Sequence, residues 1–256
     1  MLDSSAAYLL REGVIMYENQ VEEYLNSQLG LDDIFYFKCR GCGKCCKQRE
    51  DVLLTSRDLY NMAKKLGITI ETAIDTYCEA YIGNSSRMPI VRILPRGVNN
   101  ACPFLKDKRC SIHEAKPVIC AMYPVGRMLV AEDMEKGISP GAPIKAGYIL
   151  NPVTCGSIKK KQTVRSWLER FGIPIEDEFY ILWNELIMFI SSFLREIETA
   201  GAPDDAMQPI HNMVFHYMYI DYDMGQEFMA QFKTNKAKLM QNMQMLKDGL
   251  KRDGLM

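Results

Sequence analysis

CRGCGKCC, residues 39–46, puts four thiols into eight residues, and its reading decides how the front of the chain is organised. A short loop that turns several sulfurs toward one point needs backbone freedom. Gly41 and Gly43 supply it, because glycine takes left-handed conformations without a Cβ clash. Five further cysteines follow at 78, 102, 110, 120 and 155, and eight of the nine, all but Cys78, fall in a metal-like pattern.

Cys39, Cys42 and Cys45 stand three apart, the C-x-x-C-x-x-C spacing with which ferredoxin-type loops set three thiolates on one [4Fe–4S] cluster; a fourth ligand comes from a distant part of the chain. Cys46 adjoins Cys45 and is expected to point to a second site, or to close the first in place of Cys45. Eight such cysteines (Cys39, Cys42, Cys45, Cys46, Cys102, Cys110, Cys120 and Cys155) make two four-thiolate sites, or one site and spectators. The favoured partition joins Cys120 to Cys39, Cys42 and Cys45, because Pro117 can start a helix that gives Cys120 a fixed direction. Cys46, Cys102, Cys110 and Cys155 then form the second set. Cys78, inside the apparently helical run TYCEAYI, reads as a buried free thiol.

Composition bounds the class. Thirty-one basic and 32 acidic residues leave a net charge of −1, which argues against nucleic-acid and membrane partners. Nine cysteines in 256 residues are too few for a small secreted scaffold, where they reach roughly 8–10%. The opening MLDSSAAYLLREGV has Asp3 where a signal peptide carries basic residues. The most apolar long run, residues 179–194, contains Asn184 and Glu185 and is too short to span a bilayer. A cytoplasmic, reducing location is expected, where clustered cysteines bind metal more often than they form disulfides.

Working outward, residues 5–29 show helical periodicity and end at Gly30. LTSRDLYNMAKKLG predicts a helix with Thr55 as cap, Asp58 three residues on and Gly67 as stop. TIETAIDTYCEAYIG predicts a second, from Thr69 to Gly83. RMPIVRILPRG (87–97) and GYIL (147–150) predict short strands, and KDKR is a turn among the middle cysteines. TVRSWLERFG, IEDEFYILWNELIMFISSFLREIET and a final run from 204 predict helices. The expected fold is mainly α: an irregular cysteine-rich metal-binding module packed among helices, with short strands and a helical C-terminal extension. Its expected boundary separates residues 1–156, the cysteine module with its N-terminal helix, from 157–256, the extension.

CRGCGKCC followed by ACPFL, RCSIHEAKP and CAMYP resembles the YkgJ-type CxxCxxCC cysteine-cluster family, a zinc- or iron-chelating domain. The resemblance covers residues 37 to about 126, with Cys155 as an outlying member, and includes Pro103, Phe104, Leu105, Glu114, Pro117, Tyr123 and Pro124. His113 stands where the family has Tyr, and Lys116 and Ala121 where it has Arg. The family implies metal binding but leaves the metal open. Zinc ribbons pair two CxxC knuckles, whereas the later cysteines here lie eight and ten residues apart, which favours an iron–sulfur cluster; zinc and a redox dithiol are the alternatives.

Other features take plainer readings. Phe104 and Tyr123 pack, or shield a metal. His211 and His216 are core or surface histidines, and the 17 methionines fill a helical core or a plastic partner-binding face. Lys159, Lys160, Lys161, Arg165 and Arg170 form a basic patch, either solvated or facing RNA or an acidic partner. The preferred function is a metal-binding protein holding an iron–sulfur cluster (or zinc) in a redox, cofactor-handling or structural role. A related module occurs in flagellin lysine-N-methylases, so the resemblance also permits a cluster-dependent methyltransferase. No glycine-rich nucleotide motif accompanies it, and no catalytic residue is assigned. The third reading is a zinc-stabilised module that docks an unknown protein through its C-terminal helices.

Overall fold

The computed structural model of the chain describes residues 10–11, 14–15, 27–131, 144–153, 155–201 and 204–252. Among the described residues helices make up 48% and strands 22%, so the architecture is mixed α/β and the expectation of a mainly α protein is corrected. Its strands are short and several pair across long stretches of sequence, which leaves little local periodicity to announce them. Among the described residues, no helix is long and apolar enough to cross a membrane.

The chain divides into two compact units, each assembled from two stretches: Met1–Cys45 with Val118–Asn184, and Cys46–Pro117 with Glu185–Met256.

In the first unit, β1 (Leu10–Arg11) pairs with β2 (Val14–Ile15), and β3 (Gln28–Leu29) is a strand as well. These six residues correct the helix expected over 5–29, whose other positions up to residue 26 lie outside the described residues. Pairing is the cause: β3 adds to the edge of β11 (Ile144–Leu150), which forms an antiparallel hairpin with β10 (Val125–Ala131). The strand expected at GYIL is the end of β11. A separate ribbon joins β4 (Ile34–Lys38) to β12 (Ser157–Thr163). In β4 the side chains alternate, with Phe35 and Phe37 buried and Ile34, Tyr36 and Lys38 exposed.

Phe35 and Phe37 enter a core with Met122, Val125, Tyr148, Val164, Trp167 and Leu168. Phe37 meets Trp167 and Tyr123 edge-on, with ring centroids 5.6 and 5.9 Å apart. The Trp167 indole N–H, which cannot stay unsatisfied in a core, donates to the Met122 carbonyl at 2.8 Å. The helix Val164–Arg170, expected within TVRSWLERFG, begins at a capping box between Thr163 and Ser166. Arg127 and Asp177 form a buried ion pair, with the guanidinium lying 3.8 Å from the Tyr180 ring centroid.

In the second unit, the helix Ser56–Leu66 has the expected ends: Thr55 and Asp58 form a reciprocal capping box, and Gly67 closes it at φ 67°. The helix Ile70–Tyr77 begins at Thr69 as expected but stops short of Gly83. Cys78–Ile82 is β6, paired with β7 (Pro89–Ile93), which also pairs with β5 (Leu53–Leu54). Tertiary pairing with β7 overrides the local helical pattern there. The final helical run is interrupted. Asp204–Phe215 continues into a π-helical turn at His216–Ile220, and Phe228–Arg252 starts afresh. Between them Asp223 accepts from the Gly225 backbone, and Asn235 donates to the Asp221 carbonyl.

Candidate metal centre

The β4–β12 register builds the centre. Lys38, the last residue of β4, lies opposite Ser157, the first residue of β12. The chain leaves β4 into Cys39 and enters β12 from Cys155, so this one pairing brings the cysteine loop to a thiol far away in sequence.

The loop carries a repeated local geometry. The Gly41 amide donates to the Cys39 sulfur at 3.4 Å. Three residues later the Lys44 amide donates to the Cys42 sulfur in the same i to i+2 relation. Gly41 and Gly43 make the turns possible with φ of 62° and 69°. Cys42 also receives hydrogen bonds from the Gly156 amide and the Cys155 thiol. These donors, the Lys44 amide first, hold its pKa below the ordinary thiol value against the opposing effect of burial. A sulfur so supplied is prepared to carry negative charge, which is what a thiolate ligand must do.

Cys155 shows the opposite balance. Burial pushes its pKa up, and the neighbouring Cys45 and Cys42 sulfurs add to the effect. The Tyr123 hydroxyl lies 3.8 Å from its sulfur and, as a donor, opposes that rise. Tyr123 combines packing with nearness to the thiols: its ring lies against Phe37 while its hydroxyl reaches the cysteine set. The approach to Cys155 is fixed by Asn151, whose backbone and side-chain amides both donate to the Pro124 carbonyl, at 2.9 and 3.1 Å. Gly156 fits only without a side chain. Its φ is +83°, and an added Cβ would lie 2.5 Å from Phe37 Cε2 and 3.0 Å from the Lys38 carbonyl oxygen.

Cys42, Cys45 and Cys155 are therefore electrostatic neighbours, with Cys42 and Cys155 in direct contact. The sequence reading assigned Cys155 to the other set. Cys120, expected beside Cys42, is half-buried in the short helix Val118–Met122 directly after Pro117.

In the second unit, the Cys102 amide donates to the Cys46 carbonyl at 2.8 Å, tying the two chain segments together. Cys110 ends β9 (Arg109–Cys110), opposite Leu105 of β8 (Leu105–Lys106); Asp107 and Lys108 turn this hairpin with positive φ, at the expected KDKR turn. Cys78 is buried, as expected, though it opens a strand and does not lie in a helix. Burial, helped by nearby Cys102, pushes its pKa up to about 12. His211 is half-buried, its Nε2 3.0 Å from the Arg87 carbonyl oxygen, and His216 is exposed.

Among the described residues, no three Cys, His, Asp or Glu side chains converge closely enough to hold a metal ion. The donors present nevertheless fit a soft metal by their chemistry: thiols in contact, a third close by, and backbone N–H groups aimed at sulfur.

Residues 38–156 match the model of the CxxCxxCC family, described as "Putative zinc- or iron-chelating domain". The match runs past the segment recognised from its motifs and ends one residue after Cys155, so all nine cysteines lie within it. Over 119 residues the chain is 26% identical to the uncharacterized protein MJ0661 of Methanocaldococcus jannaschii, covering 45% of this chain and 56% of that protein. The chain thus spans little more than half the length of this curated relative. No solved structure matches. Over residues 38–156, a little under half of the chain, the protein is thus similar to the CxxCxxCC family.

Proposed function

We propose that the protein holds an iron–sulfur cluster through its clustered cysteine thiolates and serves in a redox, cofactor-handling or structural role. The observation that carries this reading is Cys42: its sulfur meets the Cys155 thiol and takes amide hydrogen bonds from two separate chain segments. Amide donors to sulfur stabilise thiolate charge and tune the potential of a bound cluster. Cys39, Cys42, Cys45 and Cys155 are the ligands we assign to this centre, in place of the set with Cys120. Cys46, Cys102 and Cys110 remain candidates for a second.

The cluster, when bound, would supply one-electron chemistry or a fixed crosslink. The chain's own residues do the rest. Gly41, Lys44 and Gly156 orient the amides, and Tyr123 and Phe37 form the aromatic wall behind Cys155. Zinc is the second reading, favoured by the same amide-to-sulfur bonds, which suit a tetrahedral thiolate site equally well.

Anaerobic purification followed by iron, zinc and acid-labile sulfide determination tests the proposal. Iron with matching sulfide is expected. Zinc without sulfide establishes the second reading, and a chain with neither metal overturns both.

A further inference from the structure

Beside the candidate centre lies an open hollow of about 620 Å³, lined by Lys38, Cys39, Arg40, Ser157, Lys159 and Lys160. Four of those six residues are cations and none is acidic. All four are exposed. Several surface cations elsewhere are matched: Arg165 with Asp32, Lys65 with Glu114, Arg87 with Glu198, Lys236 with Glu185 and Lys247 with Glu196. Among the described residues, Lys38, Arg40, Lys159 and Lys160 have no carboxylate partner. In a chain of net charge −1, this is a local concentration of positive field.

The same ribbon exposes large apolar side chains. Ile158 is 76% exposed, Tyr36 55% and Ile34 49%. Apolar side chains among unpaired charges are the makings of a docking surface, with an apolar middle and a charged rim. The hollow is too open to enclose a small molecule, which binding sites usually bury by most of its surface. Single-stranded nucleic acid would want several stacking aromatics, and the ribbon exposes one, Tyr36.

The geometry points to a docking surface for an acidic protein partner, centred on the exposed Cys39 end of the cysteine loop and held by Lys38, Arg40, Lys159 and Lys160. Charge complementarity selects the partner: a surface rich in Asp and Glu that also carries apolar side chains. It would be steered to the face through which the centre is reached. The surface does not depend on which metal the thiolates hold.

Fluorescence anisotropy with a fluorescein-labelled peptide alternating Glu and Leu tests this on the full-length, metal-loaded protein. The wild type should bind the peptide, more weakly as salt is raised. Lys159→Glu with Lys160→Glu should weaken binding about tenfold or more, while metal content stays at the wild-type level. Lys251→Glu, on the exposed end of the last helix, should change nothing. Equal affinity in the wild type and the double variant overturns the proposal, as does the absence of binding to the wild type. Loss of metal in the double variant also overturns it, because the cations would then serve only to balance the charge of the centre. Tighter binding of an oligothymidylate of equal charge would make the surface a nucleic-acid site. Displacement of the peptide by equimolar inorganic pyrophosphate would make it a small-anion site.

Discussion

The thiols of Cys42 and Cys155 are hydrogen-bonded to each other, one from the loop after β4 and the other from the approach to β12. Their contact follows from the pairing of Lys38 with Ser157 and gives the metal-free protein a preferred oxidation product. Treating metal-free protein with diamide should link Cys42 to Cys155 ahead of any other pair, seen as one crosslinked peptide by mass spectrometry. Dominant Cys39–Cys42 or Cys45–Cys46 products would contradict this geometry.

Gly156 should tolerate no side chain. Gly156→Ala combines positive φ with a Cβ set against Phe37 and the Lys38 carbonyl, a cost of about 2–4 kcal/mol in sum. Gly41→Ala keeps the φ penalty, about 1 kcal/mol, but its Cβ meets nothing within 4 Å. Denaturant titration of both variants checks the difference. Equal destabilisation would mean that the close approach at Gly156 does not matter.

Asp177→Asn should cost the first unit about 3 kcal/mol or more. The side chains of Arg127 and Asp177 are only 5% and 3% exposed, so removing the carboxylate charge leaves a buried guanidinium without its counterion. A midpoint unchanged in urea would show that the Tyr180 ring and the remaining amide satisfy Arg127 by themselves.

Cys78 should resist alkylation while the protein is folded. Its pKa is raised from the ordinary 9.0 to about 12, so near pH 8 it is a buried neutral thiol. The linkage has a definite sign. With the folded value above the unfolded one, its contribution to stability is complete below the unfolded pKa, near the ordinary 9.0. It is then lost as pH rises toward about 12. Iodoacetamide at pH 8 should label Cys78 only after denaturant is added, and labelling of the native protein at the same rate would contradict its burial.

What the sequence disclosed follows from how local each feature is. The helix at Ser56–Leu66 was legible because Thr55, Asp58 and Gly67 set both its ends within a few residues. Strand β12 was not, since SIKKKQT shows no apolar alternation and Gln162 is its only buried side chain. Its partner β4 does alternate, but IFYFK is short and hidden beside the cysteine loop. Cys78 was misplaced into a helix because the pairing of β6 with β7 is a tertiary effect. The candidate thiols could be named from spacing and residue type. That Cys155 meets Cys42 could not, because it depends on the unforeseen β4–β12 register.

The central claim is that Cys42 and Cys155 share one metal centre and Cys78 has no part in it. Metal content per chain, measured after anaerobic purification of the wild type, Cys42→Ser, Cys155→Ser and Cys78→Ser, tests this most directly. Replacing a soft thiolate by a neutral hydroxyl removes a charged ligand. Cys42→Ser and Cys155→Ser should therefore lose most of the same metal, while Cys78→Ser keeps the wild-type amount. Equal metal in the wild type and Cys42→Ser, or loss in Cys42→Ser with full retention in Cys155→Ser, would contradict the shared centre.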